Sequence, residues 1–345
     1  MALIITGDRD LDLVTGTLQK YGRLSFNLIG QPLNDYPVLR MWLRKESIKV
    51  RGGRGLNFNE FMEVSGANAT PRGLFAPDNV SVAPHMAQLS AGWSHISVNW
   101  TYDTIEKSMN TGQELLFDVI KPREVDAMLR LAGGCEDQAW GLRTSAQGEY
   151  VNGVPYYVVK SDTEGYNGGR PSGHTDVAGI DPNDWGNAYK NYSAQHTNVT
   201  KDDLFRKMRT FHRKSKWTAP IKVSDYDRGQ AQNFTLYTCG DVMDELGTLG
   251  EQQNENLGAD LDKYDGRMMW KGHPFVWVPK LDDDTEDPIY CIDHSCFHTF
   301  VLSGQFLERR GPIQKANHHT TYCYFIDLSW QVICTDRRRQ AVFHK

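Results

Sequence analysis

The stretch "TTYCYFIDLSWQVICT", residues 320–335, alternates over its whole length. Tyr322, Tyr324, Ile326, Leu328, Trp330, Val332 and Cys334 fall on one side, and Cys323, Phe325, Asp327, Ser329, Gln331 and Ile333 on the other. Successive side chains of a strand point to opposite faces, so the pattern predicts one long strand. "HPFVWVPK" predicts a shorter one, edged by Pro274 and Pro279. The C-terminal third therefore reads as strand.

Helical periods occupy the middle of the chain. In "GQELLFDVIKPREVDAMLRLAGGCEDQAW", Val125, Met128, Leu129, Ala132, Cys135 and Ala139 make one apolar stripe, with Arg123, Glu124, Asp126, Arg130, Glu136 and Asp137 off it. Pro122 belongs in a first turn, which predicts a short helix over residues 113–120 and a long one starting near Lys121. Gly133 and Gly134 then lie inside the long helix, each at a cost of about 1 kcal/mol against alanine, which predicts a bend or close packing there. "TKDDLFRKMRTFH" predicts a second helix, capped by Thr200 with Asp203 at its third position and Leu204, Met208 and Phe211 on one face. A third is expected at "GDVMDELGTLGEQQ", and "GYNGGRPSGHTDVAGIDPNDWGN" reads as a long loop.

Upstream, residues 1–40 show no sustained period and read as an extended arm that a partner surface would order. Residues 41–103 hold two β-rich stretches joined by the turn-rich "SGANATPRGLFAPDN", a long hairpin with an elaborate tip. Such a hairpin buries little by itself and needs neighbours.

Composition narrows the function. A chain of 345 residues is long enough for two or three subdomains. A formal net charge of -5 supplies no basic excess for general nucleic-acid binding, and no stretch approaches a membrane span, so a soluble, unsecreted chain is expected. The six cysteines are scattered, and free thiols are expected.

The densest chemistry is "CIDHSCFH", where Cys291, His294, Cys296 and His298 surround Asp293. Zinc ligands come as two spaced pairs, and no second pair follows. In extended form Cys291 lies on the opposite face from His294, Cys296 and His298, so these read as buried or interface strand side chains rather than a metal site. "YNGGRPSGHTD" lacks the lysine of a phosphate loop, "RGGRG" at 51–55 is explained by a turn or bulge, and "LDDDTEDP" lacks the glycine and glutamate of a calcium loop and reads as solvated. Arg337, Arg338 and Arg339 suit either phosphate or an acidic neighbouring subunit. No nucleophile elbow, zinc-protease helix or dinucleotide fingerprint is present, and the sequence makes no case for an enzyme, a cofactor or a metal.

Several segments resemble those of the major capsid proteins of tailed bacteriophages, of the Hong Kong 97-like fold: "WTYDTIEKSMNTG", "EDQAWG", "GVPYYVVKSDTEGYNGGRPSG", "NYSAQHTNVTKDDLFRKMR", "VWVPKLDDDT" and "IDLSWQVICTDRRRQAVF". They span roughly residues 95–345 and keep the family's order. The resemblance implies an α+β chain with an N-arm (1–40), an E-loop hairpin (41–103), a peripheral domain with a spine helix (104–225), an axial domain (226–320) and a C-terminal strand returning to the peripheral domain (321–345). It implies a structural role, with pentamers and hexamers closing an icosahedral shell of the virion, assembled in the host cytoplasm, around double-stranded DNA. Portal, scaffold and decoration proteins are the implied partners, and no membrane is involved. Gly133 and Gly134 would let the spine helix bend as the shell expands. Residues 56–94 contain no lysine, so no crosslinks are expected, and the short arm resembles capsid proteins without a fused scaffold. An encapsulin, a nanocompartment shell on the same fold, is the alternative; a metal-dependent enzyme using Cys291 to His298 is a remoter one.

Overall fold

The long alternating stretch becomes β13 (Thr321–Cys334), and two sheets follow from where it and its neighbours pair. The computed structural model describes residues 37–43, 48–61, 74, 86–109, 113–145, 148–183, 189–215, 234–251 and 268–345. Residues 1–36 of the expected arm and nearly all of the expected hairpin tip lie outside them. β13 pairs along one side with β4 (Ser94–Asp103), in antiparallel register from Thr321↔Asp103 to Trp330↔Ser94. Its other side is shared by β12 (Glu308–Gln314) and β11 (Phe297–Leu302), and β1 (Ile48–Arg51) adds to β11 in parallel. Residues 328–334 are buried on both faces, while Phe325 and Asp327 keep partial exposure between buried neighbours. A strand covered on one face over part of its length and on both over the rest gives that pattern.

The second sheet has seven strands in the order β5-β6-β14-β10-β7-β9-β8: β5 (Gly165–Gly168), β6 (Asn191–Gln195), β7 (Phe234–Thr238), β8 (Met269–Trp270), β9 (His273–Trp277), β10 (Ile289–Asp293) and β14 (Ala341–His344). The expected face Leu204, Met208 and Phe211 is buried, and Phe211 packs its ring 5.3 Å from that of Tyr192 in β6. The third expected helix is Gly240–Glu251. Of the predicted hairpin, β2 (Leu56–Phe61) and β3 (Met86–Ala91) pair with each other, whereas β1 and β4, from the same two stretches, pair instead with β11 and β13. Its base is held by buried Leu56 and Leu89 and by the Ser90 amide donating to the Ala178 carbonyl at 2.8 Å.

Several expectations are corrected. The break at Pro122 does not occur: Gln113–Trp140 is one helix of 28 residues. An interior proline removes a backbone bond at about 3 kcal/mol. The residues after it are firmly held, Arg123 by the Thr101 carbonyl at 3.1 Å and Glu124 by Arg309 at 2.5 Å. The fully buried row of this helix is Ala127, Leu131, Cys135 and Ala139, with Glu136 and Trp140 beside it; Val125, Met128, Leu129 and Ala132 are half-buried. The second helix starts at Leu204, one turn later than Thr200 suggests. The Asp203 carboxylate is turned back to accept the amides of Thr197 at 2.8 Å and Asn198 at 3.2 Å, so it organises the turn before the helix. Part of the expected long loop is strand β5, and the end of the expected arm is the helix Pro37–Trp42, whose Val38, Leu39 and Trp42 are buried. Residues 321–345 are divided between the sheets, since β14 lies in the seven-stranded one.

Candidate functional site: the junction of the two sheets

"CIDHSCFH" is not one extended segment. β10 ends at Asp293 in the seven-stranded sheet, His294–Cys296 make a tight turn, and β11 begins in the five-stranded sheet at Phe297. Asp293 creates the turn, because its carboxylate accepts from the Ser295 amide at 3.0 Å and the Ser295 hydroxyl at 2.6 Å. The chain crosses back by the same device. After β13, the Asp336 carboxylate accepts from the Arg338 amide at 2.9 Å, Arg337–Arg339 turn, and β14 rejoins the seven-stranded sheet.

The would-be metal ligands are separated by these elements. Cys291 is buried in β10 between β7 and β14. His294 Nε2 meets the Tyr237 hydroxyl at 2.8 Å, and His298 Nδ1 meets the Lys49 ammonium at 3.3 Å. The Cys296 thiol lies 3.7 Å from an Asp293 oxygen. Burial pushes the Cys291 thiol well above its usual range, and burial followed by the Asp293 charge pushes Cys296 up to about 12. Among the described residues, no three His, Cys, Asp or Glu side chains converge as a metal site.

The arginines hold the junction together. Arg337 is fully buried. It donates to the carbonyls of Tyr157 (2.5 Å), Tyr189 (2.8 Å), Gly168 (3.2 Å) and Gly169 (2.9 Å) and to Asn191 Oδ1 (3.1 Å). The planar fork suits five converging acceptors, which an ammonium could not serve together. Arg339 pairs at 2.8 Å with Asp293, which is itself fully buried. Gln340 accepts from the Asp293 amide at 2.8 Å and donates to the Asp293 carbonyl at 3.3 Å, clipping one crossing to the other. Arg338 alone faces out, its guanidinium 5.1 Å from the Tyr166 ring centre. The expected phosphate or neighbour-subunit role is therefore corrected for Arg337 and Arg339, which are engaged within the chain.

The acidic stretch 281–288 is likewise more engaged than a solvated loop. Asp284 and Glu286 both pair with Lys160, at 2.6 and 2.8 Å, and Asp287 pairs with Lys345 at 2.7 Å. Asp282 accepts from the Gly240 amide at 2.7 Å.

Glu136 escapes a sequence reading, since periodicity puts it off the apolar stripe of the helix. It is buried, and its carboxylate accepts from the amides of Val38 (3.2 Å) and Leu39 (2.8 Å) and from Trp140 Nε1 (2.8 Å). Only its position beside a buried row hints at this.

No family model matches the chain, and no curated protein matches it in sequence. Solved structures do. A chain of the cyanophage A-1(L) capsid asymmetric unit superposes with a TM-score of 0.64 at 14% identity, covering 93% of this chain and 95% of that one. A chain from the capsid of a native GTA particle gives a TM-score of 0.51 at 10% identity, over 93% and 94%. The fold is thus that of phage capsid proteins, the Hong Kong 97-like α+β fold.

Proposed function

We propose that this chain is the major capsid protein of a tailed phage, a structural subunit that assembles through pentamers and hexamers into an icosahedral shell around double-stranded DNA. The observation that carries the reading is the likeness to the cyanophage A-1(L) capsid chain over 93% of this chain and 95% of that one. The sequence segments that resemble tailed-phage capsid proteins, in the family's order, support it independently. The junction adds a physical argument: Arg337, Asp293 and Gln340 are engaged within the chain, which stiffens a subunit. Among the described residues, no helix is long and apolar enough to cross a membrane.

In this reading the helix Gln113–Trp140 is the spine helix of the peripheral domain, and β2 with β3 forms the base of the E-loop. The hairpin and arm lie across neighbouring copies, so that many weak contacts close a stable shell. Portal, scaffold and decoration proteins are its partners, and the virion is its location. Gly133 and Gly134 let the spine helix bend as the shell enlarges.

Negative-stain electron microscopy with size-exclusion light scattering on the full chain tests this. Closed particles, or rings of five and six, are expected. A uniform monomer or dimer, also with a co-expressed scaffold, would overturn the reading. Particles that enclose host enzymes in place of DNA would redirect it to a nanocompartment shell.

A further inference from the structure

The helix Gln113–Trp140 lies on two different surfaces along its length. Up to Gly134 it rests on the five-stranded sheet. Arg123 donates to the Thr101 carbonyl of β4, Glu124 pairs with Arg309 of β12, and a Cβ on Gly134 would stand 3.1 Å from Ile96 Cδ1 of β4. From Asp137 it belongs with the seven-stranded sheet. Asp137 pairs with Lys280 at 3.5 Å, just after β9, and the Trp140 ring packs 5.4 Å from Tyr237 of β7 and 5.6 Å from Tyr290 of β10. The change of surface falls beside the glycine pair, where the helix is least stiff.

Glu136 sits in that change of surface, and what it holds is anchored on the other side. The helix Pro37–Trp42 offers its first amides, those of Val38 and Leu39, to the Glu136 carboxylate. Its last residue, Trp42, stacks on Phe297 of β11 with ring centres 5.5 Å apart and lies 6.5 Å from Trp330 of β13. One end is thus fixed to the five-stranded sheet. The other is fixed to a helix segment that travels with the seven-stranded sheet. A buried carboxylate is tolerated only with several donors, so this attachment is held or broken as a unit.

We propose that the helix Pro37–Trp42 is a strap: through Glu136 it locks the angle between the two sheets across the flexible point at Gly133 and Gly134. Any rotation of one sheet against the other at the glycines pulls Glu136 from the amides of Val38 and Leu39. The strap operates within one subunit and does not depend on shells being formed.

Hydrogen exchange by mass spectrometry on the unassembled full-length chain tests the lock. Glu136→Ala is expected to speed exchange at least about tenfold both in residues 38–43 and in residues 131–135, where the helix changes surface. Acceleration confined to residues 38–43 would overturn the proposal and leave Glu136 a local cap. Trp42→Leu loosens the opposite end with Glu136 untouched, and serves also where the alanine variant fails to fold. Faster exchange at 131–135 in that variant supports the strap, and unchanged exchange there overturns it.

Discussion

The two sheets are connected at two places built on opposite principles. At the crossings of residues 293–297 and 334–341 the link is dense with polar groups, where Arg337, Arg339, Asp293 and Gln340 each have bonded partners. At the long helix the link carries two glycines and one buried carboxylate, Glu136. A buried network of this kind favours one arrangement, because moving any member strands the others. A helix with two glycines bends at little cost. One connection thus fixes where the sheets meet, and the other sets how far they turn.

The largest test of that contrast is Arg337→Met. Five acceptors lose their donor in a dry site, and a loss of at least about 3–5 kcal/mol is expected, read as a collapse of soluble yield or a lower urea midpoint. Asp293→Asn comes next, at about 2–3 kcal/mol, since it leaves Arg339 facing a neutral group. A double-mutant cycle with Arg339→Gln should return a coupling near 1 kcal/mol or more; additivity would mean the pair is incidental. Acid supplies the third test. Burial lowers the His196 pKa to about 4 from 6.5, so the unfolded chain binds a proton that the folded one refuses. That stability is fully present above pH 6.5 and is lost as pH falls towards 4, so thermal midpoints should drop across this window and less so in His196→Gln. On the flexible side, Gly134→Ala should change stability by less than about 1 kcal/mol, because better helix propensity offsets the contact with the end of the Ile96 side chain. The smallest effect belongs to Arg338→Ala, within about 0.5 kcal/mol, despite its place between two buried arginines.

The contrast between Arg337 and Arg338 also marks how far the sequence reaches. Periodicity is a local property, so β13 and the face Leu204, Met208 and Phe211 were legible in the residues themselves. The resemblance to capsid proteins supplied the fold class for the same reason, through contiguous segments. Side-chain partners are not local: Arg337 finds its acceptors 146 to 180 residues upstream, and Glu136 its amides 98 and 97 residues upstream. Three adjacent arginines look alike until the chain is folded. "CIDHSCFH" misleads for a related reason, since a turn between sheets and a metal loop both favour short polar side chains. The one readable sign was the spacing Asp293-x-Ser295 and Asp336-x-Arg338, an aspartate set to receive the amide two residues on.

The register between β4 and β13 carries a consequence for synthesis. Thr321 pairs with a residue 218 positions earlier, Asp103. At roughly 5–20 residues per second, a ribosome needs about 10–40 s to travel between them. Throughout that interval β4, with Trp100 and Tyr102 destined for burial, waits on the nascent chain without the strand that will cover its edge. A cell making many copies at once therefore holds a crowd of half-finished sheets with matching open edges, and it must keep them apart until β13 emerges.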